Sequence, residues 1–393
     1  MPLAQRKEIF NQVWDTVNDN YLYPDFHGAN WRALRDEYDP KVESVSSAEE
    51  FYLVIGDMID QLKDDHSGFI SPWEAEAEDK EVAGTGSFVG IGILTVHLDD
   101  SLLIVEVFEG SPAWKAGLRR GDHIVSVEGV PATVQNEERL ALSGPEGTSV
   151  RLTVRSGGKP DREMVIERRE VQAKSYPTST RLSGNLDIGL LTITTFAQED
   201  MDKLVEDALR QLSDQGDLTG LIIDVRGNGG GLSIVLENVL GQFVSGYVGD
   251  HPGRPGGHGL PYYDDTAAIR ITEGELYGRL RGLPIIVLVD EETASSAEIF
   301  AAVLQHSRGA RVVGVPTMGN TETIVPYDFD DGSRLWLAEY GFSLPGGSVV
   351  EGKGVIPDAI VDADWTNSTP DKDPQLLKAV ELIRNPGTRT PQR

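Results

Sequence analysis

The sequence predicts an α/β layered protein that begins with a helical segment and carries a block of short strands ahead of its main domain. Three observations predict it. Residues 171–385 alternate apolar runs of strand length with amphipathic helices. Residues 1–78 place apolar side chains at three- and four-residue spacing, and residues 84–170 alternate short strands with Gly-rich turns.

In the first segment, Ile9, Phe10, Val13, Trp14, Val17 and Tyr21 mark one helix, and Phe51, Val54, Ile55, Met58, Ile59 and Leu62 mark a second. A polar stretch from Asp36 to Ser47 separates them. The second helix runs into a turn-like cluster, Asp64-Asp65-His66-Ser67-Gly68, and Trp73 to Gly86 reads as an acidic, turn-rich linker. The second block offers strands at Ile91–Val96, Leu102–Val107, Ile124–Val127, Val150–Val154 and Met164–Ile166. A short helix starts at Pro112, where proline suits a first helical turn. In the third, strands are expected at Ile188–Ile193, Leu221–Val225, Ile285–Val289 and Val312–Val315. Helices are expected at Met201–Leu212, Ser233–Val244 and Ala297–His306. The stretch Gly246 to Asp265, rich in Gly, Pro and His, reads as a mobile loop and candidate lid. Asp330-Asp331-Gly332 reads as the turn of a hairpin between Thr323–Tyr327 and Arg334–Ala338. Residues 386–393 read as a flexible tail.

Composition narrows the function. The 393 residues are 39% apolar and 25% charged, as in ordinary globular proteins. A net charge of −28 disfavours nonspecific binding to nucleic acid or anionic membranes. No run approaches the ~18 apolar residues of a membrane helix, and the first residues lack a signal-peptide apolar stretch. The compartment stays open: cytoplasmic, or outside the cytoplasm after loss of a leader. Cysteine is absent, which excludes disulfides and thiol catalysis.

The chemistry concentrates in two places. Val287 to Phe300 (VLVDEETASSAEIF) sets Ser295 and Ser296 where a buried strand ends and a helix begins. A hydroxyl there either caps the helix or serves as a nucleophile beside unpaired backbone N–H groups suited to an oxyanion. The second is Leu221 to Gly231 (LIIDVRGNGGG), where four glycines in five residues follow a buried strand. Neither phosphate-loop spacing is present, so the cluster is a tight turn or, better, a loop that approaches a substrate backbone closely.

Several ordered motifs resemble the carboxyl-terminal processing, or tail-specific, serine peptidases. Phe88-Val89-Gly90-Ile91-Gly92-Ile93, GSPAWKAGLRRGD (110–122) and Ile124 to Gly129 together resemble a PDZ domain. Behind it, DVRGNGGG, TASSAEIFAAVLQ, VVGVPTMGN and EGKGVIPD follow in the family's order, and the likeness runs from the N-terminal helices to Asp358. The resemblance implies a ClpP/crotonase-like layered core with an N-terminal helical segment and an inserted PDZ domain. The expected boundaries are 1–78, 84–170 for the PDZ domain and 171–385 for the core. It also implies cleavage of extended polypeptides. It places the nucleophile on Ser295, the oxyanion hole on the N–H of Ser296 with one from Gly230 or Gly231, and the peptide-carboxylate loop on Val89, Gly90, Ile91 and Gly92. No cofactor or metal is implied.

One departure matters. The family's usual lysine lies 25 residues after the serine, and Asn320 occupies that position here. An amide cannot take a proton as a neutral amine does. Of seven histidines, His27 sits in a loop, His97 and His123 in the PDZ segment, His251 and His258 in the Gly-rich insert, and His306 about three turns along the serine's own helix. His66 matches a second branch, the tricorn-like core proteases, whose base comes from an N-terminal helical region. That branch implies an orienting glutamate just before the Gly-Val-x-Pro-Asp segment, here Glu351, acting on His66 directly, through Ser67 or through a water. The expectation is a Ser295–His66–Glu351 site acting on polypeptides with free, apolar C-termini. The alternative is a catalytically inactive PDZ peptide-binding homologue.

Overall fold

The apolar runs that read as buried strands assemble into a six-stranded sheet with the order Thr178–Leu182, Ile188–Thr192, Gly220–Asp224, Ile285–Val289, Arg311–Gly314 and Ala359–Ile360. The first pair is antiparallel and the rest are parallel. Every residue of Gly220–Asp224 and Ile285–Val289 is buried. Strands covered on both faces lose the polar/apolar alternation, which is why these two read as continuous hydrophobic stretches. This computed structural model describes residues 1–98, 100–132, 142–157, 159–182, 187–254, 268–368 and 371–385. The fold is a mixed α/β architecture.

The chain divides into two compact units. One comprises residues 1–79, 247–270 and 320–351; the other comprises 80–246, 271–319 and 352–393. In the first, the helices Leu3–Asn20, Trp31–Ser44 and Ala48–Ile59 close around a core that includes Phe10, Trp14, Tyr21, Phe51, Ile55 and Met58. Leu335, Leu337 and Ala338 from the hairpin Thr323–Asp328/Arg334–Tyr340 complete that core. Gly68–Ile70 adds a third strand, pairing antiparallel with Arg334–Trp336. The hairpin turn falls where the sequence predicts it, with Gly332 at φ 88°.

In the second unit, Ile93–His97, Leu102–Val107, His123–Val127, Ser149–Arg155 and Arg162–Glu167 form an antiparallel sheet in that order. Ile104, Ile124, Val150 and Leu152 lie in its core. Helix Pro374–Arg384 packs Leu376, Ala379 and Ile383 against Ile222, Ile286 and Leu288 of the parallel sheet.

Two expectations fail. The polar stretch Asp36–Ser47 is largely helix, Trp31–Ser44, capped by the Asn30 side chain accepting from Ala33 N–H at 3.2 Å. Only Trp31, Tyr38 and Val42 of it are buried, too sparse a stripe to register as helical periodicity. The supposed linker Trp73–Gly86 is mostly the helix Pro72–Val82, entered through Ser71 N–H donating to Glu74 at 2.8 Å, with Ala75 its one buried residue. The Gly246–Asp265 stretch opens with the strand Gly246–Asp250, paired with Ala268–Ile271. Its remainder from 255, with His258, and the tail 386–393 lie outside the described residues. Among the described residues, no helix is long and apolar enough to cross a membrane.

Candidate active site

Adjacent parallel strands deliver the two motifs to one place. Asp224 and Leu288 are register partners, so the loops that follow them leave the carboxyl end of the sheet side by side, the usual position for a site in a parallel sheet. Several bonds stitch the loops together. Ala294 N–H donates to Asn228 O (3.0 Å), Gly227 N–H to Asp290 Oδ1 (2.8 Å), and the Thr293 hydroxyl to Val225 O (3.1 Å). Burial pushes the Asp290 carboxyl up, against the Gly227 and Thr293 bonds that favour its charged form.

Ser295 sits at the bend with φ 53° and ψ −125°, a conformation that costs a non-glycine residue of order 1–3 kcal/mol. Such strain persists where the surroundings impose it, as at the sharp strand-to-helix turns that present nucleophiles. The buried Glu298 carboxylate accepts from Ser295 N–H at 3.1 Å and from Gly319 N–H at 2.7 Å, and it also bonds the Thr317 hydroxyl. It thereby ties the bend to the 317–319 turn. Helix Ser296–Val303 starts immediately after, so the Ser296 N–H is one of the donors a helix start leaves without an intrahelical partner.

The glycine cluster closes on this bend. Gly230 has φ 99°, and a Cβ there would lie 2.7 Å from Ser295 Cβ and 2.9 Å from Ser296 N. Gly231 has φ 141°, and its Cβ would fall 2.1 Å from Ala197 N. Both must be glycine for the backbone to come this close. Gly230 N–H donates to Asn228 Oδ1 at 2.9 Å, so Gly230 supplies space rather than a free donor. The Ser296 hydroxyl donates to Gly231 O at 2.8 Å and fixes the glycine turn to the helix start.

Behind the loop, Asp224 and Arg226 form a buried pair (2.8 Å), with Arg120 reaching Asp224 at 3.1 Å and Asp373 reaching Arg226 at 2.9 Å. Burial works against a charged Asp224, yet Arg120 and Arg226 hold its carboxyl well below the usual range. The Trp365 ring lies 4.5 Å from the Arg120 guanidinium and 4.3 Å from that of Arg226.

His66 belongs to the first unit. Its Nδ1 lies 3.1 Å from Glu322 Oε2, with the side chains 11% and 5% exposed. Tyr23 donates its hydroxyl to Glu322 Oε1. Asp64 Oδ1 accepts from His66 N–H (2.9 Å) and from Ser67 N–H, while Asp64 Oδ2 accepts from the Tyr21 hydroxyl (2.6 Å). Burial, followed by the bonded carboxylates, raises both tyrosines well above their ordinary values, so they act as donors. The resemblance implies that Glu351 orients this histidine directly, through Ser67 or through a water. The carboxylate in contact with the imidazole is Glu322, while Glu351 Oε2 accepts from Thr321 N–H (2.6 Å) and the Thr321 hydroxyl (3.0 Å). Ser67 Oγ accepts from Ala338 N–H, which joins the turn to the hairpin. No local signal marks Glu322, which stands two residues after the VVGVPTMGN motif and just before the predicted hairpin strand.

Other histidines have structural employment. His123 is buried between the Ser101 and Thr366 hydroxyls, His251 contacts Gly341 O at 3.2 Å, and His27 Nδ1 lies 3.2 Å from Leu62 O. In the PDZ domain, Val89, Ile91 and Gly92 carbonyls accept from Gly144, Ala113 and Phe108 N–H groups. The loop borders a cleft of about 140 Å³ lined by Phe88, Ile91, Ile93, Leu94 and Leu142. Ile93–His97 is the outermost strand of its sheet.

Comparison with known proteins agrees with this architecture. Residues 187–361 match the model of peptidase family S41, residues 2–60 the tricorn protease C1 domain, and residues 103–156 a PDZ domain. A probable CtpA-like serine protease of Staphylococcus aureus (strain COL) is 28% identical over 337 residues, 84% of this chain and 63% of that protein. The chain thus spans less than two thirds of that relative. The chloroplastic carboxyl-terminal-processing peptidase 2 of Arabidopsis thaliana is 27% identical over 374 residues, 91% of this chain and 69% of that one. Among solved structures, the photosystem II D1 C-terminal processing protease superposes with a TM-score of 0.64 at 25% identity, over 92% of this chain and 94% of that one. The tricorn protease shares the fold, with a TM-score of 0.52 at 19% identity over 98% of this chain and 37% of that one. Residues 187–361 thus carry a peptidase family S41 domain beside a PDZ domain, and the chain is similar to carboxyl-terminal processing peptidases.

Proposed function

We propose that this protein is a serine endopeptidase that cuts extended or unfolded polypeptides, gripping free, apolar C-termini in its PDZ domain. The observation that carries the reading is the Ser295 bend: a strained serine held against a glycine turn, with the Ser296 N–H at a helix start beside it. Ser295 Oγ attacks the scissile carbonyl carbon. His66 takes the Oγ proton and returns it to the leaving amine, then serves as base again when water hydrolyses the acyl-enzyme. The oxyanion accepts from Ser296 N–H and Gly231 N–H, the Gly230 N–H being spent on Asn228. Glu351 steadies the network by bracing Thr321, one residue from the histidine's carboxylate neighbour.

Three domains serve this chemistry: a helical segment at 1–78 carrying His66, a PDZ domain at 84–170 and a protease core at 171–385. The N–H groups of Val89 to Gly92 receive the peptide carboxylate, and the peptide extends the sheet along Ile93–His97. The outermost position of that strand and the apolar lining of the adjacent cleft support this.

Asn320 favours a second reading, a PDZ peptide-binding protein without catalysis. Incubating the purified protein with unfolded polypeptides and mapping the products by mass spectrometry separates the two. Cleavage by the wild type that disappears in Ser295→Ala is expected. Binding of C-terminal peptides with no cleavage of any polypeptide would establish the second reading instead.

A further inference from the structure

We infer that Glu322, held by Tyr23, is the positioning residue that sets the His66 tautomer, and that the segment around Asn320 supplies this carboxylate in place of a lysine. The inference rests on His66 being the catalytic base. Its geometry belongs entirely to the first unit and is assembled by sheet pairing. Gly68–Ile70, directly after the His66 turn, pairs with Arg334–Trp336, and the other strand of that hairpin begins at Thr323, directly after Glu322. Two residues 256 positions apart are thereby set side by side, with Nδ1 3.1 Å from Oε2.

Each neighbouring carboxylate has a separate task. Asp64 is occupied by the His66 and Ser67 N–H groups and by Tyr21; Glu351 is occupied by Thr321. Asp65 is exposed. Glu322 alone among them reaches the imidazole, and its second oxygen is fixed by the Tyr23 hydroxyl. A carboxylate facing Nδ1 selects the Nδ1–H tautomer and leaves the Nε2 lone pair as the proton acceptor. Without it, the ring is free to rotate or to protonate on the wrong nitrogen. Tyr23 prevents the carboxylate itself from turning away. Glu351, one step further out, holds the Thr321 backbone from which Glu322 projects.

The direct test is imidazole ¹⁵N–¹H NMR on the full chain, with the His66 resonances assigned by their loss in His66→Gln. The wild type should show the Nδ1–H tautomer with a hydrogen-bonded, downfield Nδ1 proton. Glu322→Gln should lose that signature and lower kcat by about 10²- to 10⁴-fold with little change in KM. Glu351→Gln should retain the Nδ1–H signature, which separates the two glutamates. Tyr23→Phe, which removes only one hydroxyl, guards against misfolding of the Gln variant and should weaken the downfield signal while lowering kcat by about 10-fold. An unchanged tautomer in Glu322→Gln, or a wild-type Nε2–H tautomer, overturns the inference. The NMR readout does not need turnover, so an inactive Ser295 would refute the peptidase reading while leaving this assignment tested on its own.

Discussion

Around Ser295 the groups that matter are backbone atoms: the Ser296 N–H, the Gly231 N–H, and two glycines whose missing side chains let one loop touch the other. Around His66 they are side chains from four stretches of sequence: Tyr21 and Tyr23, Asp64, Glu322, and Glu351 behind it. The first arrangement needs particular residue types at fixed positions, because only glycine tolerates the approach and only a helix start offers the orphan donors. The second needs only that some carboxylate reach the ring from wherever the sheet brings it. The backbone-built arrangement therefore tolerates little substitution, whereas the side-chain-built one can exchange its members.

Substitutions should expose that difference. The largest effects are expected from Ser295→Ala and His66→Ala, each lowering kcat of peptide hydrolysis by about 10⁴- to 10⁶-fold, and the double variant should be scarcely worse than either single one. Additive losses in steady-state kinetics would mean that the two residues do not act together. Next comes Gly230→Ala, whose Cβ would sit 2.7 Å from that of Ser295. It should reduce kcat by about 10²-fold or more through displacement of the oxyanion donors. It should also lower stability by about 1–3 kcal/mol, measured by urea unfolding. A silent Gly230→Ala would show that the Ser295 bend is less constrained than its geometry implies. At the PDZ loop, amidating the C-terminus of a bound peptide should weaken binding by about 10-fold in calorimetry, since the loop would lose its carboxylate.

The smallest effect concerns Glu106, buried in the PDZ strand Leu102–Val107 and accepting from the Ser175 (2.8 Å) and Thr194 (3.0 Å) hydroxyls. Burial raises its carboxyl, against those two bonds. An acid whose folded value is raised keeps its proton longer in the folded state, so stability declines as pH rises from the ordinary carboxylate range through the raised value. The cost is therefore present at neutral pH and absent below about pH 4. Glu106→Gln should melt at a higher temperature than wild type near neutral pH and at a similar temperature in acid. The opposite ordering in thermal melts would refute this.

The same contrast explains what the sequence revealed. The strands Gly220–Asp224 and Ile285–Val289, the Ser295 turn and the glycine cluster were legible because continuous burial and close backbone approach restrict residue choice. The hairpin was legible through Asp330-Asp331-Gly332. Glu322 was not, because its significance comes from pairing between Gly68–Ile70 and Arg334–Trp336, which no local pattern records. Helix Trp31–Ser44 was missed because three buried residues in fourteen leave no stripe. Helix Pro72–Val82 was missed because its charged surface reads like a linker. The sequence left open which of Gly230 and Gly231 offers its N–H, because no residue pattern records that Asn228 already accepts from Gly230.

The central claim is that an imidazole from the amino-terminal helices activates Ser295. The rate at which a fluorophosphonate probe modifies the protein tests it most directly. Wild type should be modified at Ser295, identified by mass spectrometry of the labelled peptide, and His66→Gln should react at least about 10³-fold more slowly. Equal rates in the two proteins, or modification elsewhere, would contradict it.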